Sequence, residues 1–206
     1  MRFPGQEGEV LGALARPRMR PQAPGLVVVH ENRGLVEHVK DVARRLAKVG
    51  YVALAGDLAS HEGGTERFSD SAQVTAVLGR TPVHHPRGML LATVAYLRTQ
   101  PLVRADRLGA VGWCFGGGMV WRLVTRSPEL RAAVAFYGPN PPLGGPPRIR
   151  AAVLGVYGEL DERINQGIPA RCLAGENPLR KADRGPQKSL RDFWGGVDWL
   201  RRYLEG

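Results

Sequence analysis

Five residues, Gly112-Trp113-Cys114-Phe115-Gly116, carry the strongest chemical signal in the chain. A glycine two places before and two places after a nucleophile marks a strand-to-helix elbow. The nucleophile occupies a strained turn that exposes its side chain, and the glycines let strand and helix approach closely. The following helix aims backbone N–H groups and the positive end of its dipole at the same point, which favours a thiolate and an oxyanion. Two other readings fit these residues. Cys114 is a small buried residue at a glycine-rich turn, or Gly116-Gly117-Gly118 cradles a phosphate, although the spacing matches neither the dinucleotide nor the P-loop pattern.

Two further segments hold groups that a cysteine nucleophile would need. His30-Glu31-Asn32-Arg33-Gly34 follows an apolar run, where elbow hydrolases place the second N–H of the oxyanion hole, and Glu31 would then lie near the thiol. It is equally an ordinary polar loop. Asp161 follows the run 151–157, two strands after the elbow, where the acid of a nucleophile, acid, histidine order belongs. A helix-capping or turn aspartate fits that position just as well. Arg33 is a cation suited to a carboxylate substrate, and it is assigned to substrate binding together with Trp113 and Tyr137. All five histidines, His30, His38, His61, His84 and His85, lie in the first half of the chain. His84 or His85 reaching over from the polar stretch 59–85 is one alternative source of an imidazole, though His-His in a polar loop is more commonly just exposed.

The elements that must position these groups alternate. Residues 25–30 form a continuous apolar run of the buried parallel kind. Residues 36–49 place Val36, Val39, Val42, Ala43, Leu46 and Val49 on one helical face, with Lys40, Arg44, Arg45 and Lys48 opposite, and Gly50 suits the stop. Strands are expected over 51–55, 108–113, 132–137 and 151–157. Helices are expected over 88–98, 115–126 and 189–204, and edge strands within 2–14. Residues 59–85 read as a polar, glycine-rich loop with room for a short helix, and 139–147 as a proline-rich loop. This alternation implies one α/β domain over 1–206, with a mostly parallel central sheet covered by helices on both faces.

Composition narrows the class. At 43% hydrophobic and 23% charged, the 206 residues suit one globular domain. No run is long and apolar enough for a spanning helix, and the N-terminus lacks a secretory pattern, so the expected compartment is the cytoplasm, with no membrane partner. Cys114 and Cys172 form neither a disulfide framework nor a zinc-ligand spacing. The net charge is +10, but the arginines are scattered and follow no nucleic-acid motif, so they read as a solvated surface rather than a nucleic-acid site. Oligomeric state leaves no signature.

Together, the stretches VVVHENRGLVEHVKDVARRLAKVGYVALAGDL, GAVGWCFGGGMVWRL, AFYGPNPP and VYGELDERINQGIPA resemble the dienelactone hydrolase (carboxymethylenebutenolidase) family of α/β-hydrolase fold, in order and at family spacing. The resemblance implies hydrolysis of a small lactone or ester through an acyl-cysteine, with no metal or organic cofactor. It makes Cys114 the nucleophile, Asp161 the residue that orients a histidine, and Glu31 the control of thiol protonation. The N–H groups of Phe115 and Asn32 become the oxyanion hole. One departure stands out. The family's catalytic histidine follows the acid beyond one more strand, whereas here no histidine follows His85. Residues 171–188 offer no convincing strand, so a helix, a strand and the histidine loop are missing or altered between two intact flanks. The alternative function is therefore a catalytically inactive relative that binds a small molecule or a protein.

Overall fold

The computed structural model describes residues 1–18, 21–139, 149–158, 161–165, 180–182 and 190–206. They fall into two compact units, Met1–Leu108 and Gly109–Gly206.

In the first unit the apolar run becomes β3 (Ala23–Val29), buried along its whole length. It pairs in parallel with β4 (Val52–Gly56), from Gly25 opposite Val52 to Val28 opposite Ala55. The expected edge strands are β1 (Arg2–Gly5) and β2 (Gly8–Ala15), an antiparallel pair whose second member runs antiparallel to β4. The order is β1-β2-β4-β3. Helix α1 (Glu37–Lys48) buries Val39, Val42, Ala43, Leu46 and Ala47 and leaves its basic face to solvent, as its periodicity requires. Gly50 follows with φ 108°, a conformation glycine adopts without strain.

The stretch read as a loop is more ordered than its composition suggests. Two short 3-10 turns, Ser60–Glu62 and Thr65–Arg67, lead to α2 (Ser71–Arg80). Asp70 caps α2 by accepting from the N–H groups of Ala72 and Gln73 at 2.8 and 2.9 Å. Helix α3 (His84–Arg98) starts four residues before the expected residue 88, because Pro86 sits in the first turn, where its missing N–H costs nothing.

A buried polar knot ties the loop after β3 to the loop after β4. The Asp57 carboxylate accepts from Ala59 N at 3.0 Å, Thr65 N at 2.6 Å and Thr65 Oγ1 at 2.9 Å. Thr65 Oγ1 in turn accepts from Leu35 N at 2.8 Å. His30 is fully buried, accepting from Leu58 N at Nε2 (2.9 Å) and bonding Glu31 O through Nδ1 (2.6 Å). A ring nitrogen that accepts an N–H carries no proton, so Nδ1 holds the hydrogen and the ring is neutral. Burial pushes this imidazole below its ordinary pKa range, against the opposing pull of Asp57 and of the bond to Glu31 O. Replacing Thr65 with valine leaves the Leu35 N–H and one Asp57 acceptor site unmatched in a buried place. The expected loss of stability is about 1–3 kcal/mol, measured by urea denaturation, and an unchanged midpoint would count against the knot.

Strand β5 (Val103–Trp113) carries the chain from the first unit into the second. There, β5, β6 (Leu130–Phe136), β7 (Ala152–Gly158) and β8 (Arg180–Ala182) lie in that order. β6 and β7 are parallel over five residue pairs, from Ala132 opposite Ala152 to Phe136 opposite Val156. β8 corrects one expectation. The stretch 171–188 holds a strand after all, three residues long and parallel to β7, while its flanks 171–179 and 183–188 lie outside the described residues. Helices α4 (Phe115–Val124) and α6 (Leu190–Leu204) pack on β6, with the four-residue α5 (Glu162–Asn165) following β7. Val197, Leu200 and Leu204 form the buried side of α6. Of the proline-rich stretch 139–147, residues 140–147 lie outside the described residues, as does Cys172. Among the described residues no helix is long and apolar enough to cross a membrane.

Candidate active site

The elbow forms where the glycine pattern places it. Cys114 is the N-cap of α4 with φ 54° and ψ −119°, backbone geometry that a residue bearing a Cβ rarely adopts. It is held there from both sides: its N–H donates to Phe136 O at 3.0 Å, and its carbonyl accepts from Gly118 N at 3.1 Å. The side chain is a free thiol, half-buried rather than enclosed. That argues against reading Cys114 as core filling.

The surrounding glycines are required by contact distance. A Cβ on Gly112 would stand 2.5 Å from Gly116 O, and one on Gly117 would stand 2.5 Å from Phe136 O. Strand β5, the start of α4 and the end of β6 therefore touch backbone to backbone. The first N–H groups of α4, beginning with Phe115, have no acceptor within the helix and point back past Cys114. An anion at the thiol would find them already oriented.

Trp113 ends β5 beside Cys114, and Tyr137 directly follows β6. The Trp113 ring stacks on Phe136 with centroids 5.3 Å apart and planes 3° from parallel. Among the described residues Tyr137 is the other non-glycine residue with positive φ, 38°, and its N–H donates to Val156 O at 2.7 Å. Under the elbow, Trp121 Nε1 donates to Tyr157 Oη at 2.8 Å in a buried bond that joins α4 to β7. Sequence reasoning did not single out Trp121, Tyr157 or Gly138. The one available signal was the glycine directly before the loop expected over 139–147.

Asp161 stands just past β7, as its place in the chain requires. It is half-buried, its N–H donates to Gly158 O at 3.2 Å, and Oδ1 accepts from Ile164 N at 3.1 Å. It thus caps α5, as the alternative reading allowed.

Glu31, Asn32 and Arg33 belong to the first unit, at the carboxyl end of β3. Glu31 and Asn32 are half-buried and Arg33 is exposed. The backbone turns sharply through Gly34 (φ 81°), whose N–H donates to Glu31 O at 3.2 Å. Asn32 O accepts from Thr75 Oγ1 at 3.1 Å. The loop is fixed by these bonds and by the polar knot beneath it. His84 and His85 are engaged in the first unit too, where His85 pairs with Glu7 and stacks on His61.

Comparison with known proteins points one way. The model of the dienelactone hydrolase family matches residues 10–172. A protein of Methylorubrum extorquens named "Putative carboxymethylenebutenolidase" is 34% identical over 94% of this chain and 67% of its own length. A Salmonella typhimurium protein of the same name is 33% identical over 80% of this chain and 65% of its own. The chain thus spans about two thirds of the length of these relatives. In fold it is similar to a structure titled "Putative Dienelactone Hydrolase" from Klebsiella pneumoniae, with TM-score 0.83 and 24% identity over 98% of this chain and 97% of that one. The dienelactone hydrolase of Anabaena variabilis gives TM-score 0.72 at 18% identity, over 99% and 96% of the two chains.

Proposed function

Because the chain belongs to the dienelactone hydrolase family of α/β-hydrolase fold, we propose that it cleaves small lactones or carboxylic esters with Cys114 as nucleophile. The observation that carries this reading is the Cys114 backbone, held at φ 54° at the head of α4. The thiolate sulfur attacks the carbonyl carbon, and the N–H groups of Phe115 and Asn32 are the donors assigned to the oxyanion. The C–O bond to the leaving oxygen then breaks, that oxygen takes up the proton held by Glu31, and a thioester remains on Cys114. Glu31 takes the thiol proton before attack. The relatives' name suggests a butenolide bearing a carboxylate, to which exposed Arg33 offers a cation, while Trp113 and Tyr137 flank the acyl group. The place of work is the cytoplasm, and no cofactor takes part.

The second half-reaction differs from that of a complete triad. There an imidazole activates the water that releases the acyl group, and here every histidine lies among residues 30–85. Asp161 keeps its capping bond to α5, and this reading assigns it no histidine. Acylation therefore outruns deacylation. Mixing the protein with 4-nitrophenyl acetate is expected to release a burst of about one equivalent of nitrophenolate, followed by a slow phase. Intact-mass analysis should find one acetyl group, on the peptide containing Cys114. Absence of both burst and adduct would instead favour a binding module that keeps the fold without the chemistry, a reading that rests on the same missing histidine.

A further inference from the structure

Among the described residues outside the elbow, one group of ligating side chains lies in the first unit. Glu7 in the β1–β2 turn and His84 and His85 at the start of α3 bring one carboxylate oxygen and two imidazole nitrogens within 4.8 Å of one another. His85 Nδ1 already bonds Glu7 Oε2 across 78 residues of sequence. The His84 and His85 rings lie with centroids 4.2 Å apart, tilted by 36°. A third imidazole, His61, stacks on His85 at 5.7 Å with planes 9° from parallel, and its Nε2 is fixed at 3.1 Å from Thr81 Oγ1. Two adjacent imidazoles thus meet the Glu7 carboxylate from a distant segment, with the His61 ring stacked behind one of them.

We infer that Glu7, His84 and His85 form a surface site for a divalent transition cation, with Zn²⁺ the best match. Two imidazoles and one carboxylate suit zinc, nickel or copper, whereas magnesium and calcium prefer oxygen ligands alone. Zinc bonds of about 2.0–2.1 Å place ligand atoms about 3.3 Å apart, so small side-chain rotations within the observed cluster would close it. Glu7 and His84 are exposed and His85 is half-buried, which leaves the remaining coordination positions open to water. His61, stacked on His85 and tied to Thr81, fixes the plane of a ligand ring, as partners behind metal ligands commonly do. The positive end of α3 opposes a cation weakly, and the Glu7 charge offsets it. A bound ion would clip the β1–β2 turn to the start of α3.

The test is calorimetric titration of Zn²⁺ into the untagged, metal-stripped chain, with Mg²⁺ and Ca²⁺ as controls. One equivalent is expected to bind with micromolar affinity, and this equivalent is expected to disappear in the His84→Ala/His85→Ala variant. Glu7→Gln is expected to weaken it by about tenfold or more. All three positions are at or near the surface, so circular dichroism should show unchanged folding, and Glu7→Gln serves as a second probe should the double variant misfold. Failure of the wild-type chain to take up Zn²⁺ would overturn the site, as would uptake indifferent to both substitutions or matched by Mg²⁺ and Ca²⁺.

Discussion

Cys114→Ala is expected to abolish the nitrophenolate burst and the acyl adduct together, and to lower steady ester turnover by about a hundredfold or more. The variant keeps the N–H groups proposed as oxyanion donors, so on that reading what it loses is the bond-forming atom alone. In complete triads, loss of the nucleophile costs about 10⁶ in kcat. On the proposed reading the loss is smaller, because that reading assigns none of the histidines, which all lie among residues 30–85, to water activation. Folding should survive, because an alanine keeps the N–H bonded to Phe136 O and the carbonyl that accepts from Gly118, and the thiol is only half-buried. Rapid-mixing absorbance and intact-mass measurements on both proteins decide the matter. Equal bursts in the two would remove Cys114 from the chemistry.

The second large effect concerns stability. Gly138→Ala is expected to unfold or nearly unfold the second unit. The added Cβ would sit 2.1 Å from Gly117 C and from Gly118 N, and 2.6 Å from Gly117 Cα. All three are backbone atoms at the start of α4, so no side chain can rotate away. The backbone of Gly138 is not in the positive-φ region, so the cost is steric rather than conformational. Relief requires α4 to move off the end of β6, which breaks the Cys114 N–H bond to Phe136 O as well. The expected destabilisation exceeds about 4 kcal/mol, a large part of the usual 5–15 kcal/mol net stability. Gly195→Ala is the matched control: it lies exposed in α6, where a Cβ would meet nothing within 4 Å, and it should stabilise by about 0.5–1 kcal/mol. Urea midpoints followed by circular dichroism give both values, and similar midpoints for the two variants would refute the tight approach of α4 and β6.

How far the chain could be read in advance depended on how local each signal was. The buried run Leu26–Val29 and the amphipathic face of α1 are local patterns, and both elements form within two residues of their expected bounds. The elbow was legible because its glycines answer a local steric demand. β8 was not: Arg180-Lys181-Ala182 has no apolar run, and its extension comes from pairing with β7, a tertiary influence that overrides local preference. The beginning of α3 was hidden because His-His-Pro looks like a loop until the tolerance of a first-turn proline is taken into account. Asp161 illustrates a different limit. One residue type at one position served equally as a cap or a catalytic acid, and only the bond to Ile164 N showed that the cap forms. The meeting of Glu7 with His85 spans 78 residues, and no window along the chain could reveal it.

The polar knot around Asp57 and Thr65 bears on how such a chain could diverge. It fastens the loop that carries Glu31 and Asn32 to the loop after β4 through buried bonds at Leu35, Leu58 and Thr65. A loop anchored in this way is closed to insertion and deletion. Arg33 lies on the same loop, exposed. Variation there would change an exposed side chain and leave the buried framework untouched, so the loop's surface can change by exchange of single side chains without remodelling of its backbone.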